Sequence, residues 1–520
     1  MASNVLQQLC MGVTFQKQPR VSRDRIEKLA AAPSSLPSTK LKGKPEKVQN
    51  RIRTHHGIGV WADDIPAVVT DFEQLETRYQ CSKQLVSNIV ACGYETPTPV
   101  QMITIPAMLE RREVLVSAPT GSGKTAAFVI PLVHLLGEPS TDGFRAVVVC
   151  PTRELAKQTY REVVRLAEGT GLRTYVLTKT SNAQKRFSSD MAKSLDIMVT
   201  TPNRLVWLLK ETKLTLGRVQ HLIIDESDRL FEAGKSGFRD QLVKIYEACD
   251  SSKLKRAMFS ATSSKDLDKW CRLHLDSVVI VAVGAKNSAT KQVDQKLLFV
   301  GTENGKLFQI RQILRAGVRP PVLVFVESKA AAKELYSHLV LDGLNVDVIH
   351  SDRTISDRDS IMEQFRLGKI WILICTELMG RGIDFKGVQL VINYDFPQSA
   401  ASYIHRIGRT GRAGRSGEAI TFFMESDAPK LREIVQIIRK AGCDVPDYML
   451  KLRTKHLKNK LQPKAKTKLK EKTIETDRSA KLKRLKTSKI GLKGSKKMEQ
   501  KKSKATLKKD RNPGTNSDKQ

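Results

Sequence analysis

No apolar run in this chain reaches the ~20 residues that a membrane-crossing helix requires, so no membrane span is expected. The N-terminus lacks a basic stretch followed by an apolar core, which argues against export. Cysteine is sparse and scattered, at Cys10, Cys81, Cys92, Cys150, Cys249, Cys271, Cys375 and Cys443. None forms a Cys-x-x-Cys pair or has histidines at ligand spacing. Neither a zinc site nor a disulfide framework is expected, and a reducing compartment follows. Acidic residues are also in the minority, 54 against 89 Lys and Arg, for a net charge of +35. Such an excess calls for a polyanionic partner, and nucleic acid is the first candidate.

The excess is concentrated. Residues 451–520 hold 26 Lys and Arg against 6 Asp and Glu, with almost no aromatic residues and little apolar periodicity. A stretch of that composition cannot bury enough surface to offset its ordering entropy, so a disordered basic tail is expected over 448–520.

What is present begins with Ala118-Pro-Thr-Gly-Ser-Gly-Lys-Thr125, set between an apolar strand at 114–117 and an apolar helix at 126–133. Glycines let successive backbone N–H groups turn inward on an anion, and the following helix adds its positive end. Ala118, Thr120, Gly121, Ser122, Gly123, Lys124 and Thr125 form the expected phosphate-binding set. Lys124 neutralises the β- and γ-phosphates, and Thr125 ligates Mg²⁺. The chain is expected to bind ATP.

Residues 1–70 are polar without sustained periodicity and are expected to form a flexible N-terminal arm. Beyond them, short Val/Ile/Leu-rich strands alternate with amphipathic helices, as in a parallel sheet covered on both faces. One series spans 71–286 and a second 295–447, with a polar linker at 287–294. The simplest architecture is α/β, with two tandem doubly wound parallel-sheet lobes.

Asp225-Glu-Ser-Asp228 follows a buried strand. Asp225 is placed to hold Mg²⁺ and Glu226 to polarise an attacking water; the plainer alternative is a strand end with exposed acids. In the second lobe, His405-Arg-Ile-Gly-Arg-Thr-Gly-Arg412 gathers several cationic groups. They read either as a solvated helix end or as two arginine fingers, Arg409 and Arg412. Such fingers are worth ~10³–10⁵ in phosphoryl-transfer rate.

Together these motifs resemble the DEAD-box family of ATP-dependent RNA helicases (superfamily 2) over residues 70–445. The resemblance implies two RecA-like lobes, and an adenine-reading element at Gly93–Gln101. There Gln101 would hydrogen-bond the base and Phe72 would stack on it. It assigns Asp384 to the ATP ribose. Coupling between ATP and strand separation falls to Asp228, Ser260, Thr262 and His405. RNA-backbone contacts fall to Pro151, Thr152, Arg153, Thr201, Pro202 and Arg204 in the first lobe. Arg358, Arg366 and Thr376 are their counterparts in the second.

The sequence departs from the family pattern at several points. Ser227 stands where Ala is usual, Asn203 for Gly, Glu377 for Asp, and Ile355 where Gln normally precedes Arg358 by three. The double-Gly element is missing from 178–186. With Gly237-Phe-Arg-Asp-Gln-Leu242, these features resemble the nucleolar branch that serves small-subunit ribosome assembly. The resemblance implies an RNA-dependent ATPase that locally unwinds RNA duplexes. Its RNA would be pre-ribosomal RNA with associated guide RNA, its partners ribosome assembly proteins, and its core monomeric. The Lys-rich tail, including Lys481-Leu-Lys-Arg484, suits a nuclear and nucleolar address or plain solubilisation. The alternatives are an ATP-gated RNA clamp, a helicase of messenger RNA and a DNA translocase.

Overall fold

Val114–Ser117 and His221–Ile224 are apolar nearly end to end, and both lie buried as central strands of one sheet. The computed structural model describes residues 45–446 and 449, except for 178–193, 213, 232–237, 264, 285–291, 378–384, 386 and 413–414.

The first lobe opens with α1 (Pro45–His55), β1 (Ile58–Trp61), α2 (Glu73–Tyr79), α3 (Lys83–Ala91) and α4 (Pro99–Leu109). Next come β2 (Val114–Ser117), α5 (Lys124–Leu136), β3 (Ala146–Val149), α6 (Arg153–Leu166) and β4 (Thr174–Leu177). It continues with β5 (Ile197–Thr200), α7 (Pro202–Glu211), β6 (His221–Ile224), α8 (Ser227–Leu230) and α9 (Arg239–Ala248). It closes with β7 (Lys255–Ser260), α10 (Lys265–His274) and β8 (Val279–Val283).

The second lobe comprises β9 (Val293–Phe299), α11 (Glu303–Arg315), β10 (Val322–Val326), α12 (Lys329–Leu341), β11 (Val346–Ile349) and α13 (Ile355–Arg366). After them come β12 (Ile372–Thr376), β13 (Leu390–Asn393), α14 (Ala400–Ile407), β14 (Gly417–Phe423) and α15 (Ala428–Lys440).

The strand orders are β1-β8-β2-β7-β6-β3-β5-β4 and β11-β12-β10-β13-β14-β9. Every pairing is parallel except β1 with β8. The two doubly wound lobes expected from the sequence are therefore present. Side-chain alternation splits each core across its sheet. Val148 and Ile223 pack with Phe128 on one face of the first sheet, whereas Val147 and Ile224 pack with Met198 on the other. In the second sheet, Phe325 and Leu373 face one way, and Val324 and Ile374 the other. Hydroxyl caps start the helices that leave the strand tips: Thr152, Thr302, Ser328, Thr354 and Ser399 each accept a backbone N–H from the first turn.

The expected flexible arm of 1–70 needs correction. Residues 45–61 form α1 and β1, and β1 extends the first sheet antiparallel to β8, in register from Ile58 with Val283 to Trp61 with Ile280. Gln49 of α1 accepts the Val68 N–H at 2.8 Å, which ties the helix to the following chain. A four-residue edge strand carries too few alternations to announce itself in a polar segment. The second lobe also begins earlier than expected, at Val293, where β9 pairs with β14.

Candidate nucleotide site and interlobe contacts

The phosphate loop is held from three sides. Ala118 N–H donates to the Ser260 carbonyl of β7 at 3.1 Å, continuing the sheet into the loop. Thr98 Oγ1 donates to the Ser122 carbonyl at 2.8 Å. Gln101 Nε2 donates to the Gly123 carbonyl at 3.2 Å, and its Oε1 accepts the Thr98 N–H at 2.9 Å. Gly123 has φ of +89°, and a Cβ there would lie 2.6 Å from Gln101 Nε2, so conformation and space both require glycine.

Gln101 is fully buried, with both ends of its amide on backbone partners. In this arrangement it braces the phosphate loop. The expected stacking role of Phe72 is corrected: it is 3 % exposed and packs in the core of the first lobe. The aromatic residue that does line the nucleotide cavity is Tyr94, hydrogen-bonded to Glu162. The sequence signal for Tyr94 is its place as the aromatic residue inside the Gly93–Gln101 element.

Lys124 opens α5, and its Nζ donates to the Ala118 and Pro119 carbonyls at 2.6 and 2.9 Å. Burial lowers its pKa to about 8, opposed by Asp225, Asp228 and Glu226. Asp225 sits at the tip of β6 and is buried, and its Oδ1 accepts the Glu226 N–H at 2.9 Å. Burial, then the Glu226 charge, raises its pKa to about 7, with Lys124 opposing. Glu226 adopts the left-handed region at φ of +47°, a strained conformation for a non-glycine residue. It is 7 % exposed, and its Oε2 has no hydrogen-bond partner among the described residues.

These observations fit a divalent cation. Two clustered carboxylates, one with an orphaned buried oxygen, lie in the cavity that Thr125 also lines. A hard cation with oxygen ligands would offset their repulsion and desolvation. Asp225 and Thr125 are the residues that would hold it.

From the second lobe, Arg409 and Arg412 line the same cavity, of about 620 Å³, as Lys124, Asp225 and Glu226. Their guanidiniums are oriented by the helix end that carries them. Arg409 Nε donates to the His405 carbonyl at 2.9 Å, and Arg412 Nε to the Gly408 carbonyl at 2.8 Å. Thr120 Oγ1 reaches across to that same Gly408 carbonyl at 3.2 Å. A larger cavity of about 1110 Å³, walled by Trp270, Tyr246 and Ile404, is also lined by Asp228, Thr262 and His405 but by no phosphate-loop residue. Its apolar walls do not suit a triphosphate.

The coupling residues converge on one oxygen. Asp228 Oδ2 accepts from Thr262 Oγ1 at 2.6 Å and Thr262 N–H at 3.2 Å, and it lies 2.8 Å from His405 Nε2. Ser260 Oγ donates to the Thr262 carbonyl and accepts its N–H at 3.0 Å. A carboxylate two residues beyond Glu226 thus joins the end of β7 to the arginine helix α14.

Several expected RNA contacts are engaged across the lobes. Arg153 pairs with Asp359 at 3.2 Å, and Arg358 with Glu154 at 3.0 Å. Thr152 caps α6, and Pro151 and Pro202 are buried at the strand tips that precede α6 and α7. Thr201 and Arg204 stand at the start of α7, where the Arg204 N–H donates to the Thr201 carbonyl at 3.1 Å. Thr376 ends β12 opposite Val326. Arg366, expected on the RNA side, lines the nucleotide cavity instead. Asp384 and the 178–186 stretch lie outside the described residues.

A phosphate loop, a metal-competent acid pair and arginines from a second parallel-sheet lobe define a two-lobed nucleotide-dependent helicase. The DEAD/DEAH box helicase family matches residues 98–270, and the helicase conserved C-terminal domain matches 305–414. The probable ATP-dependent RNA helicase DDX52 of Bos taurus is 53 % identical over 418 residues, covering 80 % of this chain and 70 % of that protein. The ATP-dependent RNA helicase ROK1 of Saccharomyces cerevisiae is 41 % identical over 397 residues, covering 75 % of this chain and 70 % of its own. Among solved structures, Mss116p bound to single-stranded RNA and AMP-PNP superposes with a TM-score of 0.63 at 26 % identity, over 74 % of this chain and 83 % of that one. The chain belongs to the DEAD-box family of ATP-dependent RNA helicases.

Proposed function

We propose that this helicase remodels short duplexes in pre-ribosomal RNA, including those with guide RNA, during assembly of the small ribosomal subunit. Its site of action would be the nucleolus, alongside ribosome assembly proteins and with a monomeric core. The ribosomal reading is supported by the likeness of 225–228 and 237–242 to the nucleolar branch, and by the Lys-rich tail. The observation that carries the mechanism is Asp228, whose one carboxylate oxygen contacts Thr262 and His405 from opposite lobes.

Chemistry needs both lobes in place. Lys124 would exchange its two loop carbonyls for phosphate oxygens, a larger gain for a cation held in a half-enclosed site. Glu226 Oε2 would orient the attacking water and draw its proton, as the water oxygen bonds the γ-phosphorus and the bond to the β–γ bridging oxygen breaks. Arg409 and Arg412 would stabilise charge on the transferring group. When bound at Asp225 and Thr125, Mg²⁺ supplies further neutralisation of the phosphates.

ATP turnover by the full chain, with single-stranded RNA, matched DNA and no nucleic acid, tests the activity. RNA alone should stimulate, and Arg409→Ala should abolish the stimulation, while equal stimulation by DNA would contradict an RNA-selective enzyme. Crosslinking in cells tests the target: enrichment on messenger RNA over ribosomal precursors would overturn the assignment.

A further inference from the structure

Arg406 is 2 % exposed and follows His405 directly on α14. Its guanidinium donates to Glu377 Oε2 at 3.0 Å and to the Asp395 carbonyl at 2.8 Å, and stacks 5.5 Å from the Phe325 ring. Those partners come from the ends of β12, the segment after β13, and β10. One side chain of α14 therefore ties three adjacent strand tips to the helix that bears His405 and leads to Arg409. Glu377 is the only carboxylate paired with Arg406 among the described residues, and it directly follows Thr376.

We infer that the Glu377–Arg406 ion pair is a positioning element, through which RNA held at the end of β12 sets the arginines that act on ATP. Neither residue needs to touch RNA or nucleotide. A buried cation keeps its geometry only while its counter-charge stays in place. A shift at Thr376 moves Glu377 with it, Arg406 follows, and α14 carries the motion to His405 and Arg409. Coupling of this kind requires a packed element with few alternative arrangements. Arg406 meets that requirement, being enclosed on every side that bears a contact. The Glu377 carboxylate joins the end of β12 to α14, with its Oε2 accepting from Arg406 at 3.0 Å.

The inference rests on the reading of the protein as an RNA-stimulated ATPase, so the unmodified full chain is measured first. If RNA does not stimulate its turnover, that reading fails and the relay falls with it, before any variant is compared. If RNA does stimulate, Glu377→Gln and Glu377→Asp follow. Three quantities are read for each: maximal turnover with RNA, anisotropy of a fluorescein-labelled oligouridylate in the presence of AMP-PNP, and melting temperature.

Glu377→Gln should lower RNA-stimulated kcat about tenfold while changing RNA affinity less than about twofold, the split expected of lost positioning as opposed to lost binding. Glu377→Asp, which keeps the charge, should recover most of the turnover. Unchanged stimulation in Glu377→Gln would overturn the relay. So would a fall in RNA affinity as large as the fall in turnover, or a Glu377→Asp variant no better than the Gln.

Discussion

Arg358 of the second lobe donates to Glu154 of the first at 3.0 Å, with both side chains largely buried. Beside this pair, Asp359 holds Lys157 at 2.6 Å and Arg153 at 3.2 Å. Two of the four arginines that the family resemblance assigns to RNA, Arg153 and Arg358, thus already face carboxylates of the opposite lobe. Asp359 occupies a position that an RNA phosphate would contest. Its side chain is 45 % exposed, so its pairs are worth at most ~1 kcal/mol and weaken with salt.

Asp359→Asn should accordingly tighten single-stranded RNA binding by about three- to fivefold at low salt, with the gain shrinking as ionic strength rises. Fluorescence anisotropy across a salt series reads this directly. Weaker binding in the variant would show that Asp359 supports an RNA-competent arrangement instead of competing with RNA.

The contacts at Asp228 make a second prediction. His405 Nε2 and Thr262 Oγ1 converge on the same oxygen, so removing either partner alters the environment of the other. Asp228→Asn and His405→Ala should each abolish most RNA stimulation while leaving ATP binding within about threefold. Their double variant should be little worse than either single one, a coupling of roughly 1–2 kcal/mol. Additive losses would mean that the two residues act independently.

How far these contacts were legible depends on their range along the chain. The phosphate loop, Asp225, Glu226 and the two arginines were readable because strand, turn and helix signals bracket each motif within a few residues. Asp228, Thr262 and His405 were readable as a set only through family resemblance, since 177 positions separate Asp228 from His405. The pairing of Arg358 with Glu154 had no sequence signal at all; surface complementarity between lobes is not periodic. Gln101 and Phe72 show the opposite limit. Their motif was recognised, but burial decided that one braces the loop and the other fills the core. Burial is a tertiary property, and β1 is illegible in the sequence for the same reason, because its pairing partner β8 lies more than two hundred residues away.

Ser227 gives a stability prediction. It is fully buried, and its Oγ has no hydrogen-bond partner among the described residues. A buried hydroxyl without a partner costs ~1–3 kcal/mol. Ser227→Ala should raise unfolding stability by about 1 kcal/mol, because the methyl fits where the hydroxymethyl already does. ATP turnover should stay within about twofold, since Asp225, Glu226 and Asp228 are untouched. A destabilised variant would reveal a partner for the hydroxyl in solution.

His221 sets an acid limit on the first lobe. It begins β6, the strand that delivers Asp225, and is 3 % exposed with no partner for its Nε2 among the described residues. Burial, with Arg111 and Arg145 adding repulsion, lowers its pKa from 6.5 to about 4. The unfolded chain therefore binds this proton at a higher pH than the folded one does. The contribution is fully present above pH 6.5 and is lost as pH falls through 4, by on the order of 3 kcal/mol in total. Urea unfolding measured from pH 7 to pH 4 should show that limb, and His221→Leu should flatten it. The variant should also retain the limb's upper plateau, because an apolar side chain suits a position flanked by β3 and β7 on both edges. An unchanged acid limb in His221→Leu would assign the loss to groups other than His221, and not to Asp225, whose raised pKa favours the folded state as pH falls.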